Sequence, residues 1–123
     1  MSVTGPDFLA LHVRDLDRSA QFFEGRLGLR RLPQSPPGAV VFDTAPIAFA
    51  VREQAPDIDL DAATPRPGLG VALWLHATDA QALHDELVVA EVPILQAPFD
   101  SPFGRTFTFT DPDGYAVTVH DRA

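Results

Sequence analysis

Four histidines, one tryptophan and a spread of carboxylates are the side chains in this sequence with chemistry to offer. An imidazole can ligate a metal, act as a general base or hold a ligand by a hydrogen bond. His12, His76 and His120 fall in stretches that alternate like strands, whereas His84 falls in a helical stretch and reads as exposed. Nucleophilic chemistry finds no support. Ser19, Ser35 and Ser101 sit in no nucleophile motif. The absence of cysteine excludes a thiolate nucleophile, a thiolate metal site and a disulfide framework. Gly25 and Gly28 bracket a helix end and do not form a phosphate loop. Asp57, Asp59 and Asp61 alternate, but without the glycine and distal glutamate of a helix-loop-helix calcium site, so they read as a solvated acidic loop.

The formal net charge is −8, and Arg30-Arg31 is the only adjacent basic pair. Phosphate contacts need a basic surface, so the balance argues for no nucleic-acid partner. It would attract a cationic ligand, or simply keep the surface soluble. No apolar run approaches a membrane span, and Met1-Ser-Val-Thr-Gly lacks the basic-then-apolar pattern of a signal. The expectation is no membrane partner and a cytoplasmic location.

Positioning these residues requires strands and helices in a repeated order. Residues 8–13 read as a strand. Asp15 can cap a helix whose apolar stripe is Leu16, Ala20, Phe23 and Leu27, with Gly28 as its stop. Residues 29–32 read as extended, followed by a proline-rich break over 33–38 and short strands over 39–42 and 47–51. Residues 53–70 form a loop rich in Pro, Asp, Ala and Gly. The pattern then recurs. Residues 71–77 read as a strand and Thr78-Asp79-Ala80-Gln81 as a capping box. Ala80, Leu83, Leu87 and Ala90 form a helical stripe, and 92–97 a strand. Thr106, Thr108 and Thr110 alternate with Phe107 and Phe109, Asp111-Pro112-Asp113-Gly114 turns the chain, and 115–120 alternates again, which predicts a β-hairpin. Each half is therefore expected to be β-α-β-β-β.

The halves superpose in sequence. Leu9-Ala-Leu11-His12 lies over Leu73-Trp-Leu75-His76 at an offset of 64, as do Asp15 over Asp79 and Phe23 over Leu87; Asp43 lies over Asp111 at 68. Two such modules share one fold. Together with the run Arg26-Leu27-Gly28-Leu29 and the closing Pro102-Phe103-Gly104-Arg105 and Asp111-Pro-Asp-Gly114-Tyr115, they resemble the vicinal oxygen chelate superfamily across essentially the whole chain. That superfamily includes glyoxalase I, extradiol dioxygenases, fosfomycin-modifying enzymes and bleomycin-resistance proteins. The resemblance implies an α+β fold in which two βαβββ modules in tandem form a cup-shaped, partly open mixed sheet with helices outside. It implies a single domain over 1–123, with module one at about 6–53, a linker at about 54–68 and module two at about 69–121.

The resemblance also implies where a metal would be held. The ligand on a module's first strand sits seven residues before the helix-opening Asp, and that on its last strand four residues after the turn Gly. These positions hold Phe8 and Ala72, then Thr118 and, by the repeat, Ala50. Phe and Ala have no donor atoms and one hydroxyl is a poor ligand. A register slip to Leu9, Phe49, Leu73 or Val117 does no better. No metal, cofactor or catalytic residue is therefore expected, and the nearest branch is that of the bleomycin-resistance proteins, which work as homodimers.

Strand alternation places other side chains on the face of the former metal positions. His12, Trp74, His76, Arg52 and His120 join Phe8, Ala50, Ala72 and Thr118 there, with Ala10, Ala48 and Ala116 between, and Phe103 flanks the last hairpin. A concave, largely apolar surface with a few polar groups suits a small organic molecule, aromatic or cationic. Trp74 reads either as a stacking platform or as packing. His12 and His76 lie four positions beyond their metal positions but His120 only two, so the three imidazoles are not expected to meet on one ion. Arg105 reads as a structural tie to a carbonyl or carboxylate. The expected function is metal-free sequestration of a small molecule. The alternatives are a metal-dependent lyase, isomerase or dioxygenase, and a metal-free enzyme using a histidine base.

Overall fold

The computed structural model describes residues 2–122. They form two compact units, one ending at Leu60 and the other beginning at Asp61. The fold is α+β, with one helix and one small mixed sheet in each unit.

In the first unit β1 (Phe8–Val13) runs parallel to β3 (Ala48–Glu53), which pairs antiparallel with β2 (Ala39–Phe42). Alternation places one set of side chains toward the helix, although Ala50 on the other face of β3 is buried as well. Leu11, Val13, Phe42, Phe49 and Val51 are buried, as are Ala20 and Phe23 of helix α1 (Leu16–Gly25). The Phe23 ring lies 5.1 Å from Phe49 and 6.3 Å from Phe42, an aromatic centre to the core. Asp15 caps α1 as expected, its carboxylate accepting the Arg18 N–H at 3.1 Å. Gly28, at φ 74°, lets the Gly28 and Leu29 N–H groups turn back onto the Glu24 and Phe23 carbonyls.

The expected strand over 29–32 is reduced to a single bridge, Arg31 to Phe42. The Leu32 N–H reaches the Val41 carbonyl and the Asp43 N–H the Arg30 carbonyl, and there the ladder stops. Pro33 has no N–H to continue it and restricts Leu32. The first sheet therefore has three strands, ordered β1-β3-β2.

The second unit keeps all four strands, ordered β4-β7-β6-β5. β4 (Leu73–His76) runs parallel to β7 (Ala116–His120), and β5 (Ile94–Ser101), β6 (Gly104–Thr110) and β7 form an antiparallel meander. Phe107, Phe109, Val117 and Val119 are buried, as are Ala80 and Leu87 of helix α2 (Ala80–Val89). β4 is shorter than the expected 71–77. β5 begins later than expected and runs to Ser101, with register shifts on either side of Gln96.

The capping box does not form. Asp79 is the cap and accepts the Ala82 N–H at 3.0 Å, while the Gln81 side chain accepts from Arg105 instead. A carboxylate one residue later in the chain outcompetes the Thr78 hydroxyl. On the exposed flank of α2, hydrogen bonds from His84 and then Gln81 hold the Asp85 carboxyl below its usual range.

α2 ends with Glu91 at φ 63°, the Glu91 N–H on the Val88 carbonyl and the Val92 N–H on the Leu87 carbonyl. This is the position where a glycine normally stands. An L-residue pays roughly 1–2 kcal/mol for left-handed backbone. Glu91→Gly is expected to raise unfolding stability by about 1 kcal/mol, measured by urea denaturation; a loss of stability would sink that reading.

Candidate functional site

The face of the second sheet opposite α2 carries two cross-strand rows. Trp74 pairs with Thr118, Thr118 with Thr108, and Thr108 with Gln96. One step along, His76 pairs with His120, His120 with Thr106, and Thr106 with Phe99. Paired residues in neighbouring strands point to the same side. Five of the residues predicted from sequence meet here: Trp74, His76, Phe103, Thr118 and His120.

Phe103 arrives from the β5–β6 connection. Its ring meets Trp74 edge-on at 5.4 Å and His120 at 6.4 Å, and His120 in turn lies 5.7 Å from Trp74 and 5.6 Å from His76. The Phe103 carbonyl lies 3.3 Å from His120 Nδ1. The loop is held from below: the Ser101 hydroxyl accepts the Phe103 N–H at 3.0 Å, and the Asp121 carboxylate accepts the Arg105 N–H at 2.9 Å and the Ala80 N–H at 3.2 Å. Arg105 donates to Gln81 Oε1 at 2.9 Å and to Asp100 Oδ1 at 3.1 Å, which is the structural tie expected of it. Trp74 and Phe103 nevertheless remain 43% and 54% exposed. Large aromatic side chains held against one another yet open to solvent are a standing surface for a planar partner.

Ala72 lies one residue before β4 and is exposed. In the first unit Phe8 pairs with Ala48, Ala10 with Ala50 and His12 with Arg52, all on the face opposite the Phe23 core. Phe8 is 53% exposed, whereas Ala50 is buried. His12 Nδ1 accepts the Ala55 N–H at 3.2 Å, a structural bond that anchors the chain after β3. A surface depression of about 450 Å³, lined by Arg14, Asp15, Leu16, Asp17, Glu53 and Gln54, opens elsewhere in this unit and contains none of the predicted site residues.

Sequence reading missed Thr108, Gln96 and Phe99 as members of the open face. The Thr alternation on β6 was a signal for Thr108. For Gln96 and Phe99 there was none, because the shifts in β5 break the two-residue period that face assignment relies on.

The resemblance drawn from the sequence would put a divalent metal at Phe8, Ala50, Ala72 and Thr118, which offer a single hydroxyl between them. The Thr118 hydroxyl is already engaged with Thr108 at 2.8 Å. Among the described residues no group of three or more His, Asp or Glu side chains converges as a metal site would require. These residues do not fit a metal, and no chemistry is derived through one.

A β-α-β-β-β unit with strand order 1-4-3-2, preceded by a related unit lacking one strand, defines a protein of the paired-module α+β class. The sequence profile of the Glyoxalase/Bleomycin resistance protein/Dioxygenase superfamily matches residues 5–119, and the chain belongs to that family. No curated protein matches it. Solved structures share the fold at low identity. An antibiotic binding protein, TnmS3, from Streptomyces sp. CB03234 is 20% identical, with a TM-score of 0.75 over 100% of this chain and 99% of that one. The fosfomycin resistance protein FosX from Listeria monocytogenes is 15% identical, with a TM-score of 0.74 over 99% and 96%. Lactoylglutathione lyase from Agrobacterium tumefaciens is 19% identical, with a TM-score of 0.69 over 98% and 96%. Among the described residues no helix is long and apolar enough to cross a membrane.

Proposed function

We propose that the protein binds a small planar molecule, aromatic or cationic, on the open face of β4 and β7, and that it does so without a metal ion. The observation that carries this reading is the corner formed by Trp74, Phe103 and His120, whose rings lie within 5.4–6.4 Å of one another while Trp74 and Phe103 stay half-exposed. Two features add support. The residues at the family's metal positions lack a donor set, and a fold relative is described as an antibiotic binding protein. A ring seated against Trp74 would gain stacking, and a cation would gain attraction to the indole face.

Trp74 is the only tryptophan, so its emission reports on this corner alone. A planar ligand is expected to quench it saturably, with affinity unchanged after exhaustive chelation. Trp74→Ala is expected to weaken binding about tenfold, measured by calorimetry, in line with roughly 0.5–1.5 kcal/mol for an aromatic pair. Affinity that disappears on chelation would refute the metal-free reading.

A further inference from the structure

Resting on that reading, we infer that the face selects one ligand class: an aromatic ring bearing a hydroxyl group, which donates a hydrogen bond to Nε2 of His120.

The argument begins with a tautomer. A backbone carbonyl can only accept, so the 3.3 Å contact from His120 Nδ1 to the Phe103 oxygen requires the proton on Nδ1. In the neutral ring that leaves Nε2 with a lone pair and no proton. No described side chain or backbone group donates to it. The rings in contact with it are those of His76, Trp74 and Phe103. Its cross-strand neighbour Thr106 is buried, with its hydroxyl committed to the Gly104 carbonyl at 3.0 Å and to Ser101 at 2.8 Å. An acceptor on a ring that itself contacts three other rings matches a ligand that is a ring with a donor at its edge.

The second polar feature of the face agrees. Thr108 and Thr118 share one hydrogen bond at 2.8 Å, so one of the two hydroxyl protons is used and the other is left for an acceptor atom on a ligand. By contrast, the two rows contain no carboxylate. The nearest acids in sequence are committed elsewhere, Asp100 to Arg105 and Asp121 to the Arg105 and Ala80 N–H groups. The chain's net charge of −8 is therefore not concentrated here, and a cation would find ring faces and neutral acceptors but no carboxylate in the two rows. A site built around an acceptor discriminates against an analogue that lacks the matching hydroxyl more strongly than an apolar surface discriminates by size.

The test uses the full chain and three probes: 2-naphthol, its methyl ether 2-methoxynaphthalene, and the cation N-methylquinolinium. The Trp74 indole N–H resonance reports binding, and the His120 ring nitrogen resonances report the hydrogen bond. The naphthol is expected to bind at least tenfold tighter than its ether and to be the only probe that moves the Nε2 resonance. His120→Phe keeps the ring contacts with Trp74, His76 and Phe103 but has no acceptor, and is expected to equalise the two affinities. Equal affinities in the parent, or tightest binding by the cation, would overturn the selectivity and leave the aromatic site standing. A Trp74 resonance unmoved by all three probes would overturn both.

Discussion

Gly104→Ala is expected to destabilise the second unit by about 3 kcal/mol and to weaken ligand binding together with stability. Gly104 has φ 90°, in the region that L-residues avoid, which costs roughly 1–2 kcal/mol. A β-carbon there would also overlap the Asp121 carboxylate and stand 2.8 Å from the Arg122 backbone nitrogen. Relieving such overlap typically costs about 1–3 kcal/mol more. The displaced carboxylate is the one that holds the Arg105 and Ala80 N–H groups, and so links β6 to the start of α2. Since Phe103 precedes this glycine and gives its carbonyl to His120, the aromatic corner should loosen as well. Chemical denaturation measures the first effect, and the Trp74 emission maximum the second. A variant with parental stability and an unshifted emission maximum would show that Asp121 can move aside without consequence.

Asp111→Asn is expected to act in the opposite direction above neutral pH. Asp111 is 5% exposed; its Oδ1 accepts the Asp113 and Tyr115 N–H groups at 3.0 and 2.8 Å, and its Oδ2 has no partner. Burial pushes its carboxyl up from 3.8 to about 6, with the neighbouring Asp113 charge adding to the rise and the backbone N–H groups opposing it. The folded chain therefore holds this proton more tightly than the unfolded chain. Its contribution to stability is complete below about pH 4 and is lost as pH rises through about 6. A shift of about 2 pH units corresponds to about 3 kcal/mol. Asparagine keeps the Oδ1 acceptor and resembles the protonated acid. The variant should match the parent near pH 4 and exceed it by up to about 3 kcal/mol above pH 7. Urea denaturation at a series of pH values gives the difference curve, and a flat one would contradict the assignment.

Both positions belong to the hairpin that was most legible beforehand. Pro102-Phe103-Gly104-Arg105 and Asp111-Pro-Asp-Gly114 are local signals, since turn chemistry and a period of two depend on adjacent residues alone. For the same reason the shared face of Trp74, His76, Thr118 and His120 is legible in the sequence, as is the face of Phe8, Ala50 and Arg52. The Asp15 cap and the Gly28 stop were legible on the same grounds. Where two local signals competed, the reading failed. Thr78 to Gln81 has the pattern of a capping box although Asp79 is the cap, and Leu29–Leu32 has the pattern of a strand although Pro33 ends its ladder after one bridge.

By itself, then, the sequence determined the order of elements in the second unit and the side of its sheet on which the chemistry-bearing residues stand. Only the tertiary structure decided which of those residues touch. The register shifts of β5 bring Gln96 and Phe99 onto the open face, the β5–β6 loop lays Phe103 against Trp74, and the Phe103 carbonyl comes within 3.3 Å of His120 Nδ1. The physical reason is that periodicity assigns a side chain to a face, whereas contact depends on register, bulges and loop closure between segments distant in sequence.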